Sequence, residues 1–383
     1  MRTVPILDVA ENITSGPPKF DGSRTYYATA AVDGATLFDG TPVLYSERPS
    51  RANLAAKNDD VLFAKMQATD KVVHVNGEAE YAIFSTGFFN LRAHHKKIDP
   101  RYLFWFVRSP RFQIEKDRRC TGATQKALTL GGLREIEIPC PETITEQRRI
   151  SAILDKADGV RSKCEQTLAM ADALLRSEFL DRFGSPLTNR KGIEKAPIRT
   201  LGNVVTGNTP PRKEPENYGA EIEWIKSDNI NTPSYFLTKA VEHLSPRGKV
   251  IGRLAPAGAT LVTCIAGSPS VVGNAALADR EVAFNQQINA VIPKDDVDPY
   301  FLYCQFLIGK ELIQASSTNS MKGMVSKGKF QEIEFLNPSP GEQAKFGRFF
   351  ERTNGLIQNL KSRYAESEAA FAALSQRAFH GEL

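Results

Sequence analysis

The chain has 383 residues, of which 24% are charged and 41% are hydrophobic, with a formal net charge of +5. This length predicts two or three domains with the composition of an ordinary globular protein. No apolar run approaches the roughly 20 residues that a membrane span needs, the start lacks a signal-peptide core, and five scattered cysteines form no C-x-x-C pair. We therefore expect a cytoplasmic protein with reduced thiols and no membrane partner.

The first part of the chain is rich in short apolar runs bounded by turn residues. Residues 82–84 and 136–138 are examples of these predicted strands. A helix is predicted over residues 100–112, because Asp99 can cap it and Pro100 suits its first turn. The pattern predicts an α+β domain over residues 1–142.

A long helix is predicted next, over residues 143–184. It contains no proline, Gly159 is its one glycine before the end, and Gly184-Ser185-Pro186 terminates it. Apolar or small residues recur at alternating spacings of four and three, which is typical of a helix that packs along its length on another helix. At 1.5 Å per residue, such a helix is roughly 60 Å long. The residues that we expect in its packing are Ile153, Ala157, Val160, Leu168 and Leu174.

The rest of the chain repeats this plan. A polar, basic connection over residues 185–195 leads to a second α+β domain over residues 196–340, with strands at 260–263 and 289–292 and a helix over 299–313. A second long helix is predicted over residues 341–383. Its packing residues are expected to be Phe349, Leu356, Leu360, Phe371 and Leu374. The pattern favours two long helices that pack antiparallel, although each could instead cap only its own domain.

An internal repeat supports this division. Asp99-Pro100-x-x-Leu103 recurs as Asp298-Pro299-x-x-Leu302, roughly 200 residues later. Further matches at nearly the same spacing are Val61-Leu62-Phe63 with Thr260-Leu261-Val262, Val72-Val73 with Val271-Val272, Ile136-Glu137 with Ile333-Glu334, and Glu146-Gln147 with Glu342-Gln343. An ordered series of matches predicts two copies of one unit, and therefore two equivalent working surfaces.

Motifs for catalysis are missing. The chain has no Gly-x-x-x-x-Gly-Lys-Ser/Thr phosphate loop, and neither Asp99-Pro100 nor Asn208-Thr209-Pro210-Pro211 has the order or the preceding glycine-rich turn of an amino-methyltransferase. His94 and His95 are adjacent, so on a strand they point to opposite faces and cannot readily share a metal ion. We therefore expect recognition or scaffolding, with no catalytic residue, metal or cofactor.

Both copies carry a stretch of basic and amide side chains without acids, between Asp117 and Glu135 and between Glu311 and Glu332. Lysine and arginine contact phosphates, whereas glutamine and asparagine can read adenine. The DNA-binding candidates in these stretches are Arg118, Arg119, Thr124, Gln125 and Lys126 in the first copy, and Asn319, Lys322, Lys327 and Lys329 in the second. A second group of candidates is Lys226, Ser227, Asn229 and Gln286. The alternative is that both stretches are solvated loops leading into a strand.

Four motifs, in this order and partly duplicated, resemble a known family. They are Ile136-x-Ile138-Pro139-x-Pro141 leading to Glu146-Gln147-x-x-Ile150, then Trp224-Ile225-Lys226-Ser227-Asp228-Asn229-Ile230, then Ala283-Phe284-Asn285-Gln286-Gln287-Ile288-Asn289-Ala290-Val291-Ile292-Pro293, and Asp298-Pro299-x-Phe301-Leu302-Tyr303. Over essentially its full length, the chain resembles the specificity subunit of type I restriction–modification systems.

The resemblance implies two target-recognition domains, separated by two antiparallel helices that act as a ruler. Each domain would read one half of a split site on double-stranded DNA. The subunit would have no catalysis of its own and would dock two adenine-N6 methyltransferase subunits, joined by motor–nuclease subunits. S-adenosylmethionine and ATP would bind only in those partners. The alternatives are a non-catalytic adaptor that bridges two protein partners without reading sequence, and a stand-alone methyltransferase or nuclease.

Overall fold

A computed structural model describes residues 1–318 and 323–383. The candidates Asn319 and Lys322 lie outside the described residues. The chain divides into two compact units, unit 1 with Met1–Glu165 and Ser362–Leu383, and unit 2 with Gln166–Lys361. The borders of the predicted domains are not tested by this division and stay predictions. Within the described ranges, no helix combines the length and apolar character that crossing a membrane requires.

The elements are numbered in chain order. The strands are β1 (Arg2–Pro5), β2 (Ala10–Ile13), β3 (Ser23–Tyr27), β4 (Val32–Asp33), β5 (Thr36–Leu37), β6 (Thr41–Leu44), β7 (Ala52–Ala55), β8 (Val61–Ala64), β9 (Val72–His74), β10 (Ile83–Ser85), β11 (Phe88–Ala93), β12 (Cys120–Thr121), β13 (Ala127–Leu128), β14 (Glu137–Cys140), β15 (Lys195–Pro197), β16 (Gly202–Thr206), β17 (Tyr218–Ile225), β18 (His243–Leu244), β19 (Leu254–Ala255), β20 (Thr260–Thr263), β21 (Ile265–Ala266), β22 (Ala275–Leu277), β23 (Val282–Phe284), β24 (Ile288–Pro293), β25 (Gly323–Met324) and β26 (Glu334–Leu336). The helices are α1 (Ile6–Val9), α2 (Pro100–Arg108), α3 (Pro110–Arg118), α4 (Leu130–Arg134), α5 (Ile144–Phe183), α6 (Ile198–Leu201), α7 (Pro246–Ile251), α8 (Pro299–Ile308), α9 (Lys310–Ala315), α10 (Lys327–Gln331) and α11 (Pro340–His380).

Unit 1 contains two four-stranded sheets. One has the order β2-β11-β8-β9 and is antiparallel throughout. The other has the order β6-β3-β10-β7, in which the β3–β10 pair is parallel. β1 also pairs with β14. The aromatic side chains of α2 are buried in one core with Phe63 of β8 and Phe89 of β11.

Unit 2 repeats this topology. Its antiparallel sheet has the order β16-β24-β20-β22, and its mixed sheet has the order β18-β17-β23-β19 with a parallel β17–β23 pair. β15 pairs with β26 as β1 does with β14. The matching strand order confirms the α+β class and the internal duplication.

One pair of residues matched in the sequence repeat does not occupy equivalent positions in the two units. Val72-Val73 lies in β9, whereas Val271-Val272 lies at the end of a short 3-10 turn. The strand of unit 2 that pairs as β9 does is β22, which begins at Ala275. The loop after β20 is longer than its counterpart and contains β21, so the constant spacing fails there.

Each short helix predicted inside a domain is two helices. In unit 1 the break falls at Ser109, which is extended (φ −70°, ψ 148°) because it precedes Pro110, and its hydroxyl caps α3. In unit 2 the break falls at Gly309, where a Cβ atom would lie 2.7 Å from the carbonyl oxygen of Gln305.

The long helices pack on each other inside both units. In unit 1, Ile150 and Leu154 of α5 share a core with Ala378 and Phe379 of α11, and Arg161 pairs with Glu368 at 3.2 Å. The start of α5 therefore meets the end of α11. In unit 2 the end of α5 meets the start of α11. Phe183 is the last residue of α5, and its ring centroid lies 5.8 Å from that of Phe346, near the start of α11. The two helices are thus antiparallel, as predicted.

The predicted packing is wrong at Val160, Leu174 and Leu356, each of which is 51% exposed. The buried residues include Leu154, Leu175 and Ile357, each one position after a predicted one. A spacing of apolar residues that alternates between four and three assumes 3.5 residues per helical turn. When such a series is started from the wrong residue, its later members also fall on the wrong face of the helix. Leu360 is buried, Ile153 and Ala157 are half-buried, and Leu168, Phe349, Phe371 and Leu374 are half-buried against the cores of their units.

The two most regular motifs of the repeat are joined in space. In unit 1 the side-chain oxygen of Gln147 accepts a hydrogen bond from the backbone nitrogen of Asp99 (2.7 Å), while Asp99 caps α2. In unit 2 Gln343 accepts from the nitrogen of Asp298 (3.2 Å), which caps α8. The Asp-Pro and Glu-Gln motifs recur because together they fix the start of each long helix on a helix of its domain.

Candidate nucleic-acid interface

In unit 1 the predicted basic stretch forms a hairpin of β12 and β13. Thr124, Gln125 and Lys126 are exposed in its tip, where Gly122 has a φ of +134°. Lys126 makes no ion pair within the part of the chain that the structure describes. Such a set of hydroxyl, amide and ammonium groups can contact phosphates and base edges. We refer to residues 121–127 as the hairpin tip.

Arg118 and Arg119 are less available than the sequence indicated. Both pair with Glu115, Arg118 at 3.0 Å, and Arg119 also lies 3.6 Å from Glu135. The stretch that is free of acids in sequence is therefore flanked by acids in space. Arg118 remains largely exposed, whereas Arg119 is mostly covered.

In unit 2 the candidates Lys327 and Lys329 are exposed on α10. Ser326 caps this helix by accepting from the nitrogen of Lys329. Neither lysine pairs with an acid among residues 1–318 and 323–383. Both ammonium groups are thus placed to contact phosphates.

A second surface in unit 2 surrounds Trp224 and includes an arginine that sequence reasoning missed. The Arg212 guanidinium lies 4.6 Å from the ring of Tyr218 and 4.8 Å from that of Trp224. Glu242 accepts from Lys226 and from Arg212, and these hydrogen bonds hold the pKa of Glu242 below its usual range. The charge of the candidate Lys226 is therefore largely neutralised. No local sequence pattern links Arg212 to Trp224, since a loop brings them together.

The parallel strands β17 and β23 bring two candidate segments side by side at their carboxyl ends. The nitrogen of Asn285 donates to the carbonyl of Ile225 (3.0 Å), and the Ser227 hydroxyl lies 3.4 Å from the side-chain oxygen of Gln287. The neighbouring Gln286 is exposed and accepts from Thr209. Ser227 and Gln286 therefore belong to one surface.

The side-chain amide of the candidate Asn229 is already bonded within the protein. Asn229 is 6% exposed, its side-chain oxygen accepts from the nitrogen of Lys226 (3.0 Å), and its amide nitrogen donates to the carbonyl of Lys239 (3.0 Å). Both ends of the amide are used to close the turn after β17.

In the described ranges, no group of three or more His, Cys, Asp or Glu side chains could hold a metal ion.

A family model described as the type I restriction modification DNA specificity domain matches residues 22–169 and again residues 190–368. The chain belongs to this family. The resemblance to type I specificity subunits is therefore confirmed, and the two matches agree with the two copies of the fold.

Individual relatives of this specificity subunit are distant. The HindI specificity subunit of Haemophilus influenzae is 22% identical, and the alignment covers 82% of this chain and 85% of that protein. The MjaIX specificity subunit of Methanocaldococcus jannaschii is 28% identical over 43% of this chain and 39% of its own.

Solved structures share the fold. The S subunit of a type I system from M. genitalium gives a TM-score of 0.61 at 14% identity, covering 99% of this chain and 96% of that one. A chain from a study of complex assembly and conformational transition of the type I R-M system gives 0.58 at 19% identity, covering 100% and 98%.

Proposed function

We propose that this specificity subunit reads a bipartite site on double-stranded DNA, with one block of bases read by each unit. The observation that carries the proposal is the recurrence of one sheet topology in both units of a family defined by DNA specificity. In the first copy we assign DNA contact to Thr124, Gln125 and Lys126, and in the second to Ser227, Gln286, Lys327 and Lys329. The lysines contact phosphates, and the amides and hydroxyls contact base edges.

We further propose that the subunit is itself non-catalytic and works in the cytoplasm. It positions two adenine-N6 methyltransferase subunits and, in a restriction complex, motor–nuclease subunits. S-adenosylmethionine and ATP then bind in those partners and not in this chain. Membership of a specificity-subunit family supports this assignment.

Selection from random duplex DNA with the full chain tests the proposal. We expect enrichment of a site with two short specified blocks around an unspecified gap. A single contiguous block would contradict the bipartite reading. No enrichment at all would favour the adaptor that bridges two proteins without sequence readout.

A second experiment tests the helices as a ruler. Insertion of one heptad into both α5 and α11, at facing positions, adds about 10 Å of helix, or about three base pairs at 3.4 Å each. We expect a gap longer by about three base pairs with both blocks unchanged. The matched control is a seven-residue insertion in the connection (residues 185–195), which should leave the gap as it was. Altered blocks with an unaltered gap would refute the ruler.

A further inference from the structure

A surface loop of unit 1 is tied down by a buried lysine. The loop follows β8, and residues 66–70 are here called the tethered loop. The Lys116 ammonium, on α3, donates to the carbonyl oxygens of Met66 (3.2 Å) and Thr69. The neighbouring Asp117 accepts from the backbone nitrogen of Ala68 at 3.1 Å. Two adjacent side chains of one helix therefore hold three backbone groups of the loop.

This tether is physically unusual. Lys116 is 0% exposed, and burial lowers its pKa although Asp117 opposes the shift. A buried ammonium group is unfavourable unless it is well bonded. The loop that it holds also contains Ala68 at a φ of +55°, a conformation that residues other than glycine rarely adopt. Since Met66, Gln67 and Ala68 are themselves exposed, the tether fixes the shape of a surface and not the packing of a core.

The tethered loop and the hairpin tip form one continuous surface. Met66 bridges to Ala127, and the nitrogen of Gln67 donates to the carbonyl of Lys126 at 3.0 Å. Met66 is 40% exposed, and Gln125, two residues before Ala127, is exposed in the hairpin tip. An apolar side chain and an amide suit the methyl group of thymine and the edge of adenine.

Unit 2 holds the corresponding loop in the same way with different side chains. Gln314 of α9 donates from its amide nitrogen to the carbonyls of Pro269 (3.3 Å) and Ser270 (3.5 Å), and the Lys310 ammonium donates to Ser270 (2.6 Å). β21, in this loop, pairs with β25. The fixed loop is therefore a property of the duplicated fold, while its chemistry differs between the copies.

We infer that the tethered loop and the hairpin tip together are the base-reading surface of unit 1. Met66 and Gln125 contact bases, and Lys116 and Asp117 are positioning residues that hold the loop in the geometry that reading requires. This inference rests on the proposed bipartite recognition and adds to it a loop and a tether that basic composition alone did not indicate.

The contact residues are tested in the full chain by Met66→Ala and Gln125→Ala, both exposed positions. We expect each variant to lose about tenfold in discrimination at one or two positions of a single block, with the other block unchanged. The slope of affinity against salt should stay at the wild-type value, because no phosphate contact is removed. Unchanged discrimination at every position of both blocks would overturn the inference.

The tether is tested by Lys116→Met, with Lys116→Arg as the conservative variant and the exposed Lys96→Met as the matched control. We expect Lys116→Met to relax one block as a whole, Lys116→Arg to restore it, and Lys96→Met to change neither block. A loss of both blocks or of non-specific affinity would show a merely structural role and overturn the assignment of Lys116. If Lys116→Met fails to fold, the two contact variants decide. If the wild-type chain selects no two-block site, the proposed function itself fails. If it selects one that none of the variants alters, only this inference fails.

Discussion

The substitution Gln147→Ala should destabilise unit 1 more than its counterpart Gln343→Ala destabilises unit 2. Both glutamines are 1% exposed and occupy the same position of the repeat. Besides accepting from Asp99, Gln147 donates to the carbonyl oxygens of Lys97 and Pro141, each at 3.1 Å, and its amide nitrogen lies a weaker 3.5 Å from the sulfur of Cys140. Gln343 accepts from Asp298, and its one donated bond to a described residue goes to the carbonyl oxygen of Pro338 (2.9 Å).

The expected magnitude follows from this difference in hydrogen bonds. A hydrogen bond of this kind contributes about 1 kcal/mol net, and a buried group left unpaired costs somewhat more. Loss of three bonds at Gln147 should therefore lower the free energy of unfolding by about 3 kcal/mol, and loss of two at Gln343 by about 2 kcal/mol. The volume removed is the same in both variants, so the difference of about 1 kcal/mol reports the extra bond.

The chain contains two tryptophans, and each lies in a different unit. In a Trp224→Phe background the fluorescence of Trp105 reports unit 1, and in a Trp105→Phe background Trp224 reports unit 2. Urea unfolding of each background, with and without the glutamine substitution, gives the two free-energy differences. The neighbouring half-exposed glutamates supply matched controls. Glu146→Ala and Glu342→Ala remove surface ion pairs and should leave both midpoints nearly unchanged. Equal losses for the two glutamines, or a loss at Gln147 no larger than at Glu146, would refute the reasoning.

Three further predictions follow from particular contacts. Burial raises the pKa of the Asp158 carboxyl, but the hydrogen bonds that it accepts from Arg108 and Arg161 outweigh burial. The pKa of Asp158 is therefore lower than its ordinary value of 3.8. It follows that the ionised carboxylate stabilises unit 1 above that pH. Its contribution should disappear as the pH falls through the lowered pKa, and acid titration of Asp158→Asn should show a shallower loss of stability than the wild type. Leu154→Ala should lower the stability of unit 1 by about 2–5 kcal/mol, whereas Val160→Ser should change it by less than about 0.5 kcal/mol because Val160 faces solvent, and thermal unfolding separates the two. Asn229→Ala should destabilise unit 2 by about 1–3 kcal/mol and leave the bases selected from random duplex unchanged, so an altered block would show that this asparagine reads DNA after all.

Much of the architecture could be predicted because it depends on local and periodic signals. Proline after a capping aspartate marks Pro100 and Pro299, and absence of proline with a regular apolar stripe marks the two long helices. The register of the helix packing could not be read in the same way. Adjacent apolar pairs such as Ile153 with Leu154, or Leu174 with Leu175, offer two stripes that differ by one residue. Only the position of the domain beside the helix decides which stripe is buried.

The candidate interface was harder to predict, because its charges are set by neighbours distant in sequence. Lys226 is paired with Glu242, which lies 16 residues later in the chain, and both ends of the Asn229 amide are bonded within the protein. Lys116 lies among other charged residues in the sequence of α3, and its burial against the tethered loop involves a contact across 50 residues of chain. Composition identifies stretches that can bind DNA, but it does not show which side chains are already bonded within the protein.

Both copies keep the positions of contacts and change their chemistry. In unit 1, α2 is held on α5 by charge, through Arg101 to Asp155 at 2.7 Å and Arg108 to Asp158 at 3.0 Å. In unit 2, α8 meets α11 through aromatic rings, with Tyr300 stacked on Phe350 at 4.8 Å. The tethers of the two loops differ in the same way, with a buried lysine and an aspartate in one copy and a glutamine and a half-buried lysine in the other. A protein that must read two different blocks needs backbones that agree and surfaces that differ. A dimer of identical chains cannot diverge in this manner, since any substitution alters both of its halves, whereas a duplicated chain can change one reading surface and keep the other.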